Sequence, residues 1–405
     1  CESADQSVLK THARFTSSSA SGWMHIGQLL VHMTDQAIKR HIESEYAAMR
    51  PGWQADDTFV TYTGLRVTAN QVHNCQIRDA STNLKHTVLP FDVDTDFNDV
   101  ALDWFSAYGF LTRLQAGRAA LAASFAAPLI AEYGSSVTPS LILVGDGGVF
   151  KTSSCRFAVS AWGHEDDTLM TTSRTDKGDG ITGRSEAIQS VPVVVDEVTV
   201  VRTDTLAELI STIANGTSKI RRANTGNYEA IVSSHWMTAV LMTSNTSLVR
   251  SMSSSLDATG GLSENVKRRF LEITVPSVTL PEFESLLAEV ATAVGLKDVL
   301  WGAAGAYFLR EVIKDRAGFE TRVQRFAEEI DKHVHVVTNN MDVQKTFITL
   351  MLAVADLLNE RGLLSFDVDG FFVELTGALL SQARALNCIV ASSADSLASM
   401  LPLVM

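Results

Sequence analysis

Short apolar blocks alternate with amphipathic stretches through the middle of the chain. The blocks predict buried strands because they are short and mostly apolar, and each ends at a small or polar residue or at Pro. The predicted strands are 141–144, 168–172, 191–195, 240–243 and 271–275. The predicted helices among them are 113–132, 151–162, 181–189 and 205–214. Strands that alternate with helices are typical of a parallel sheet with helices on both faces, so we expect a three-layer α/β fold.

The regions on either side of this block have different patterns. Residues 58–68 alternate like two strands around a turn at Gly64, residues 26–49 have the period of an amphipathic helix, and residues 90–99 are acidic and loop-like. Beyond residue 281 the periodicity is almost wholly helical, with helices expected near 281–294, 302–332, 341–360 and 369–400. The pattern predicts four parts: a linker or frayed terminus at 1–20, a small α/β domain at 21–113, the α/β core at 114–280 and a helical region at 281–405.

Composition narrows the class of protein. With 405 residues, 46% of them hydrophobic and 20% charged, the chain is long enough for two or three domains and a large core. The formal net charge of −13 argues against a protein that coats polyanions over its whole surface. A local basic groove remains compatible with that charge, because only the lining of a channel must be positive.

Cysteine usage and hydropathy bear on the compartment. The four cysteines form no C-x-x-C pair, which favours a reducing compartment and argues against a zinc or disulfide framework. The best apolar run, 119–131, is too short to span a membrane and contains Pro128. We therefore expect a cytoplasmic protein with no signal peptide and no membrane partner. The chain begins with Cys1, which suggests a fragment or a processed product.

The first candidate site is the Gly-rich loop after strand 141–144. Its sequence follows G-x-x-x-x-[G]-K-T, with Phe150 in place of the last Gly. In such a P-loop, consecutive backbone N–H groups and a helix N-terminus bind phosphate, the Lys reaches the outer phosphates and the Thr hydroxyl binds Mg²⁺. The alternative is a Gly-rich turn followed by a chance Lys-Thr. The predicted ATP-binding residues are Gly145, Asp146, Gly147, Gly148, Val149, Phe150, Lys151, Thr152 and Ser153.

An acid pair strengthens that interpretation. The strand 193–195 ends in Asp196 and Glu197, about 45 residues after the loop, which is a Walker B pattern. Asp196, with Thr152, is the predicted Mg²⁺ ligand, and Glu197 is the predicted base that polarises water. A strand that merely ends in exposed acids is the alternative, and the order of the two motifs disfavours it.

Two further polar positions fit the same chemistry. Strand 240–243 leads to Asn245, a candidate sensor that orients the attacking water, with Ser244 or Thr243 as substitutes. Just before the last predicted strand, the run 267–269 offers an Arg that stabilises transition-state charge on a neighbouring subunit's nucleotide. We favour Arg269 over Arg268. The alternative for Asn245 is a turn residue at the end of a strand. The alternative for 267–269 is a solvated basic helix end.

The densest basic cluster lies between the acid pair and the sensor. It contains Lys219, Arg221 and Arg222, followed by a turn sequence at 224–226. A hairpin here would present basic side chains to backbone phosphates in a ring's central channel, which makes these three residues candidate nucleic-acid contacts. The alternatives are a subunit-interface loop, in which Arg221 or Arg222 touches the neighbour's nucleotide, and a plain surface loop.

Several stretches resemble the helicase-like P-loop ATPases of phages, plasmids and mobile elements. The resemblance covers roughly residues 20–275, and its motifs lie at 125–130, 141–154, 159–163, 172–175, 195–197 and 214–221. The motif order is also similar to that of superfamily-three helicases of the AAA+ class, which carry a basic hairpin between the acid pair and the sensor.

The resemblance implies an AAA+-like P-loop NTPase core at 114–280, preceded by an accessory domain. It implies a ring, a hexamer in particular, that hydrolyses ATP with Mg²⁺ to move on single-stranded DNA in the replication of a phage or mobile element. A primase, upstream or separate, and a polymerase are the further partners it implies. The alternatives are an AAA+-type ATPase that loads or remodels a protein complex, and an assembly subunit with a degenerate P-loop.

Overall fold

The computed structural model describes residues 47–48, 50–77, 84, 88–134, 137–171, 179–200, 203–217, 236–254, 266, 269–335, 337 and 341–386. The chain forms two compact units, Cys1–Met49 and Arg50–Met405. In the first, Ala47–Ala48 is strand β1, so the helical prediction for 26–49 is wrong at these two residues. The rest of that helix lies outside the described residues. The four-part division drawn from the sequence stays a prediction.

A small antiparallel sheet opens the second unit. Its strands are β2 (Gly52–Trp53), β3 (Phe59–Val60), β4 (Leu65–Val67) and β5 (Val72–Asn74), in that spatial order, and strand β6 (Gln76–Ile77) follows. The turn between β3 and β4 needs Gly64, because its φ is +82° and a Cβ there would lie 2.8 Å from the carbonyl oxygen of Cys75. The alternation at 58–68 therefore predicted these two strands and their turn correctly.

The central sheet has five parallel strands. They are β7 (Ser140–Val144), β8 (Leu169–Thr171), β9 (Val193–Asp196), β10 (Val240–Ser244) and β11 (Phe270–Thr274). Their spatial order is β11–β7–β10–β9–β8, and every neighbouring pair is parallel. The five predicted strands are confirmed, and the mixed α/β class with them. Strands β7 and β10 are buried along their whole length because helices cover the sheet.

Helices account for most of the remaining described chain. The helices that precede β10 are α1 (Phe97–Tyr108), α2 (Gln115–Ala126), α3 (Ile130–Tyr133), α4 (Lys151–Val159), α5 (Glu165–Thr168), α6 (Asp179–Ile188) and α7 (Thr203–Ala214). The later ones are α8 (Leu248–Ser254), α9 (Leu280–Leu296), α10 (Ala303–Lys314), α11 (Arg316–His333), α12 (Asp342–Glu360) and α13 (Val368–Ala385).

Some helix predictions were wrong in their bounds. The helix expected at 302–332 is two helices, because Asp315 leaves the helical conformation and its side chain accepts a hydrogen bond from the N–H of Gly318, which caps α11. The helix expected at 113–132 ends at Ala126, where Pro128 forces a 3₁₀ turn. Helix α4 ends at Val159 rather than at 162. Helices α1, α5 and α8 were not predicted, and α13 ends at Ala385, with 387–400 outside the described residues.

Helix α2 lies at the centre of the packing. It is rich in Ala, and it packs against α4, the helix that follows the Gly-rich loop, and against α12. Small side chains allow this close approach, and near the end of α2 Phe125 packs between the buried rings of Trp104 and Trp162. The loop helix is therefore held on a rigid, buried support.

Strand β11 is an edge strand whose outer side is covered by glutamine side chains. The carbonyl oxygen of Phe270 accepts hydrogen bonds from Nε2 of Gln344 on α12 (3.1 Å) and of Gln382 on α13 (2.8 Å). The N–H of Glu272 donates to Oε1 of Gln382 at 2.9 Å. These bonds satisfy backbone groups that an edge strand otherwise leaves unpaired, and they attach the C-terminal helices to the sheet.

Among the helices that the structure describes, none combines the length and the apolar character needed to cross a membrane.

The substitution Gln382→Ala tests this attachment. It removes both hydrogen bonds of a buried side chain and leaves the Glu272 N–H without its partner, so we expect a loss of about 1–3 kcal/mol in the free energy of unfolding. The measurement is urea denaturation followed by circular dichroism. Gln324→Ala is the matched control, because that exposed Gln bonds only to Glu328 at 3.3 Å and should change stability by less than about 0.5 kcal/mol. Equal effects of the two variants would contradict the role of Gln382.

Candidate functional site

The candidate site begins with the loop 145–150, which joins β7 to α4. Gly145 lies close to the neighbouring strand end, because a Cβ there would sit 2.7 Å from the carbonyl oxygen of Val275. Gly147 and Gly148 face open space, since a Cβ on either would have no heavy atom within 4 Å, and Gly148 has a φ of +83°. Val149 is buried and anchors the loop to the core. The loop is therefore fixed at its ends and open in the middle, as phosphate binding requires.

Phe150 occupies the place where the loop pattern has its last Gly. Its backbone is left-handed, with φ 63° and ψ 13°, and its side chain is half-buried and packs against the hydrophobic core. A non-Gly residue in this conformation costs about 1–2 kcal/mol. The loop therefore keeps the backbone conformation that a Gly would adopt, and the packing of the ring offsets the strain.

The Lys151 side chain is folded against its own loop. Its Nζ donates to the carbonyl oxygens of Gly145 (2.5 Å) and Asp146 (2.7 Å) and to Oδ1 of Asn245 (3.3 Å). Burial lowers the pKa of the Lys151 ammonium, and the carboxylates of Glu197, Asp146 and Asp196 oppose that shift. The ammonium thus lies beside the open middle of the loop, surrounded by acceptors.

Thr152 and Asp196 meet across the sheet. The Thr152 hydroxyl, on the first turn of α4, donates to Oδ1 of Asp196 at 2.7 Å. Asp196 ends β9, which is separated from β7 by β10. The half-buried Ser153 follows on α4. A hydroxyl and a carboxylate at this distance are hard oxygen donors of the kind that Mg²⁺ prefers.

Thr152 and Asp196 are suited to a metal ion that is bound together with a nucleotide. Within the described ranges, no group of three or more His, Cys, Asp or Glu side chains is placed to hold a metal ion. Mg²⁺ in nucleotide sites is bound by one or two carboxylates together with phosphate oxygens and water, so a complete protein cage is not needed. The residues present therefore fit Mg²⁺ bound with a nucleotide.

Glu197 and Asn245 complete the edge. Glu197 leaves β9 in a left-handed conformation, with φ 58°, and its Oε2 accepts a hydrogen bond from Nδ2 of Asn245 at 2.8 Å. Asn245 follows β10, and its backbone N–H donates to the Thr199 hydroxyl at 2.8 Å. The Asn245 amide thus bridges the Lys151 ammonium and the Glu197 carboxylate. The predicted sensor, base and phosphate-loop lysine form one hydrogen-bonded group.

A large cleft adjoins this group. It has a volume of about 1240 Å³ and is lined by loop residues Gly145 and Asp146, by Asn245, by the chain after β11 and by one face of α13. Arg118 and Arg250 also line it. Arg118 is held by Glu374 of α13 (Nε to Oε2, 2.7 Å), and burial raises the pKa of that carboxyl. The cleft offers ample space for a nucleoside triphosphate.

Three contributors to this site are not indicated by any pattern in the sequence. Thr199 supports Asn245, Arg250 lies on α8, and α13 forms the far wall of the cleft. Glu272 fixes the start of α8, since its Oε2 accepts hydrogen bonds from the N–H groups of Leu248 (2.8 Å) and Val249 (3.1 Å). None of these residues belongs to a local motif, so no spacing along the chain indicates them.

Arg269 lies away from the loop in its own chain. It immediately precedes β11, whose first residue pairs with Ser140, so it is at the amino edge of the sheet, whereas the loop follows the carboxyl end of β7. Its guanidinium donates to the carbonyl oxygen and to the hydroxyl of Ser211, each at 2.9 Å, and burial lowers its pKa. Action on a neighbouring subunit's nucleotide remains a prediction. Lys219, Arg221 and Arg222 lie outside the described residues.

The fold has a counterpart among solved structures. A structure titled "SCCmec type IV Cch - active helicase" superposes with a TM-score of 0.55 at 15% identity, over 84% of this chain and 60% of that one. The chain therefore spans about 60% of that helicase's length. A Cytophaga hutchinsonii protein proposed to be an ATPase gives a TM-score of 0.36 at 10% identity, over 72% of this chain and 97% of that one, which is too low to support an argument. No curated protein matches the sequence.

The chain thus shares with that structure a mixed α/β fold with a parallel sheet, and its Gly-rich loop follows the second strand in space, as in P-loop NTPase-like folds. The model of one family, "Domain of unknown function (DUF927)", matches residues 19–232, more than half of the chain. The chain belongs to that family.

Replacing Phe150 tests whether the loop tolerates Gly as its pattern requires. Phe150→Gly relieves left-handed strain of about 1–2 kcal/mol and loses half-buried packing, so we expect a free energy of unfolding within about 1 kcal/mol of wild type. Phe372→Gly is the control: this Phe is also half-buried against the core but lies inside α13, where Gly removes packing and adds a helix penalty. Chemical denaturation should show Phe372→Gly to be the less stable variant by about 2 kcal/mol. Equal losses would show that Phe150 is not strained.

Proposed function

We propose that this protein is an ATP hydrolase of AAA+-like architecture that works as a DNA helicase or translocase. One observation carries the proposal: Lys151, Thr152, Asp196, Glu197 and Asn245 converge at one edge of the sheet through hydrogen bonds of 2.7–3.3 Å. These are the groups that phosphoryl transfer from a nucleotide to water requires, and they come from three separate strands.

The strand order supports the AAA+-like assignment. Strand β10 lies between the loop strand β7 and the acid strand β9. Asn245, at the end of β10, therefore sits between the phosphate loop and Glu197. A sensor must contact both the terminal phosphate and the attacking water. The position of β10 between β7 and β9 allows Asn245 to reach both.

In the proposed reaction each side chain has one task. The N–H groups of loop 145–150 and the Lys151 ammonium bind the phosphates. Thr152 and Asp196 would hold Mg²⁺, which would neutralise the negative charge that develops on the phosphate oxygens. Glu197 accepts a proton from the attacking water, and Asn245 orients that water. Lys151 exchanges its contacts with loop carbonyl oxygens for contacts with phosphate oxygens. The adjoining cleft accommodates the base and ribose.

The proposed track is single-stranded DNA. Lys219, Arg221 and Arg222 form the densest basic cluster of a chain whose formal net charge is −13, and they lie between the acid pair and the sensor in sequence. In a homo-oligomeric ring, and a hexamer in particular, such a cluster lines the central channel and contacts backbone phosphates. Arg269 or Arg221 then acts on a neighbouring subunit's nucleotide. A primase and a polymerase are the expected partners in the replication of a phage or mobile element.

Hydrolysis is tested with Lys151→Ala and Glu197→Gln. Lys151→Ala should abolish nucleotide binding, whereas Glu197→Gln should bind nucleotide and lower kcat about 10²–10⁴-fold, because only the proton acceptor is lost. Steady-state phosphate release is measured with and without single-stranded DNA, with the surface variant Lys332→Ala as control. Hydrolysis that ignores DNA would favour a loader or remodeller of protein complexes. A wild-type chain that binds no nucleotide would be an assembly subunit.

The DNA contacts are tested through salt dependence. Each phosphate contact on a single strand contributes about 0.7 to the slope of log K against log[salt], so Lys219→Ala with Arg222→Ala should lower that slope by about 1.4. Fluorescence anisotropy of a labelled oligonucleotide gives K at each salt concentration. Lys314→Ala with Lys332→Ala removes the same charge from helices α10 and α11 and should leave the slope unchanged. If the two double variants behave alike, the cluster does not contact DNA.

A further inference from the structure

Thr243 is a buried hydroxyl placed between the two acids of the candidate site. It is the fourth residue of β10, and only 1% of it is exposed. In the register of β10 with β9, Met242 pairs with Val195, so Thr243 lies one residue further along, beside Asp196. On its other side Thr243 pairs with Leu143, the penultimate residue of the loop strand β7.

The Thr243 hydroxyl makes one hydrogen bond to the side chain of Asp196 and one to the backbone of Glu197. It donates its proton to Oδ1 of Asp196 at 2.6 Å, and its oxygen accepts the backbone N–H of Glu197 at 2.9 Å. A hydroxyl has one proton to donate and lone pairs to accept with, so the two bonds are compatible. One side chain therefore sets the position of the carboxylate of Asp196 and of the backbone of Glu197.

The bond to Asp196 acts together with Thr152. Both hydroxyls donate to the same carboxylate oxygen, at 2.6 and 2.7 Å, which fixes the rotation of the carboxylate plane. The two donors differ in their support. Thr152 belongs to the helix that follows the phosphate loop, whereas Thr243 belongs to a strand that is buried along its whole length. Thr243 is therefore the donor whose position does not depend on the loop.

The bond to Glu197 acts on the backbone. Glu197 has a φ of 58°, a left-handed conformation that a Glu adopts only when its surroundings compensate. The N–H bond to Thr243 supplies part of that compensation, and the resulting turn directs the Glu197 carboxylate to Asn245. Without the hydroxyl, the N–H of Glu197 loses this partner and the turn loses support.

We propose that Thr243 is a positioning residue that orients Asp196 toward Mg²⁺ and Glu197 toward the attacking water. The proposal rests on the proposed function, since it assigns those two roles to the acids. It adds that the affinity for Mg²⁺ in the presence of nucleotide is set by a strand residue outside both the phosphate loop and the acid pair.

The test compares variants that differ in the hydroxyl alone. Thr243→Val keeps the shape and removes the hydroxyl, and Thr243→Ser keeps the hydroxyl. Thr243→Ala beside Thr243→Ser repeats the comparison if the Val variant does not fold. Thr238→Val is the matched control: Thr238 is also fully buried and donates to the carbonyl oxygen of Val191 at 2.6 Å, two residues before β10 begins.

Two readouts are used. The first is the Mg²⁺ concentration for half-maximal binding of a fluorescent ADP analogue, with affinity in EDTA as its reference, and the second is kcat for ATP hydrolysis. Thr243→Val should raise the half-saturating Mg²⁺ concentration about 10-fold or more and lower kcat, with little change of affinity in EDTA. Thr243→Ser should restore both within about threefold. Thr238→Val should lose thermal stability and keep the wild-type Mg²⁺ requirement.

The outcomes distinguish a failure of the role of Thr243 from a failure of the proposed function. If the wild-type protein hydrolyses ATP and Thr243→Val has the Mg²⁺ requirement of Thr238→Val, the role of Thr243 is refuted and the proposed function stands. A loss that Thr243→Ser does not restore also refutes it, because packing would then be the cause. If the wild-type protein binds no nucleotide, the proposed function and the inference fail together.

Discussion

The site depends on the parallel pairing of the central sheet. Because β7, β9 and β10 run in the same direction, the residues that follow each of them emerge at one edge. A phosphate loop, an acid pair and a polar amide that are about 50 residues apart in sequence are thereby brought within hydrogen-bond distance. A reversal of any one strand would move its polar end to the opposite edge, so the chemistry and the topology are inseparable.

The part of the site that could be predicted from sequence is the part coded locally. The central strands are short, mostly apolar runs, and the candidate side chains follow three of them: Asp196 and Asn245 at or near a strand end, and Lys151 after the Gly-rich loop. Phe150 marks the limit of that approach, since a sequence cannot say whether an aromatic residue adopts a left-handed conformation. The answer lies in packing, because the ring is half-buried against the core and holds the backbone there.

What could not be predicted comes from contacts between distant segments. The far wall of the cleft is α13, more than 200 residues after the loop, and its periodicity gives no indication of what it faces. Arg269 illustrates a second kind of distant contact: its guanidinium is bonded to Ser211 at the other edge of the sheet, and a role on a neighbouring subunit's nucleotide stays a prediction. The break at Asp315 likewise depends on a side-chain cap, which competes with a helical pattern that looks continuous.

The glutamine-covered edge of β11 has a further consequence. Since the N–H of Glu272 donates to Gln382 of α13, that amide is shielded from solvent as long as the helix stays docked. The rate at which the Glu272 amide exchanges with deuterated water therefore reports how often α13 leaves the sheet. The carboxylate of the same residue caps α8, which begins three residues after Asn245. A shift of α8 would therefore also move Glu272, the residue whose amide reports whether α13 is docked. Glu272 of the edge strand thus contacts α8 through its carboxylate and α13 through its backbone N–H.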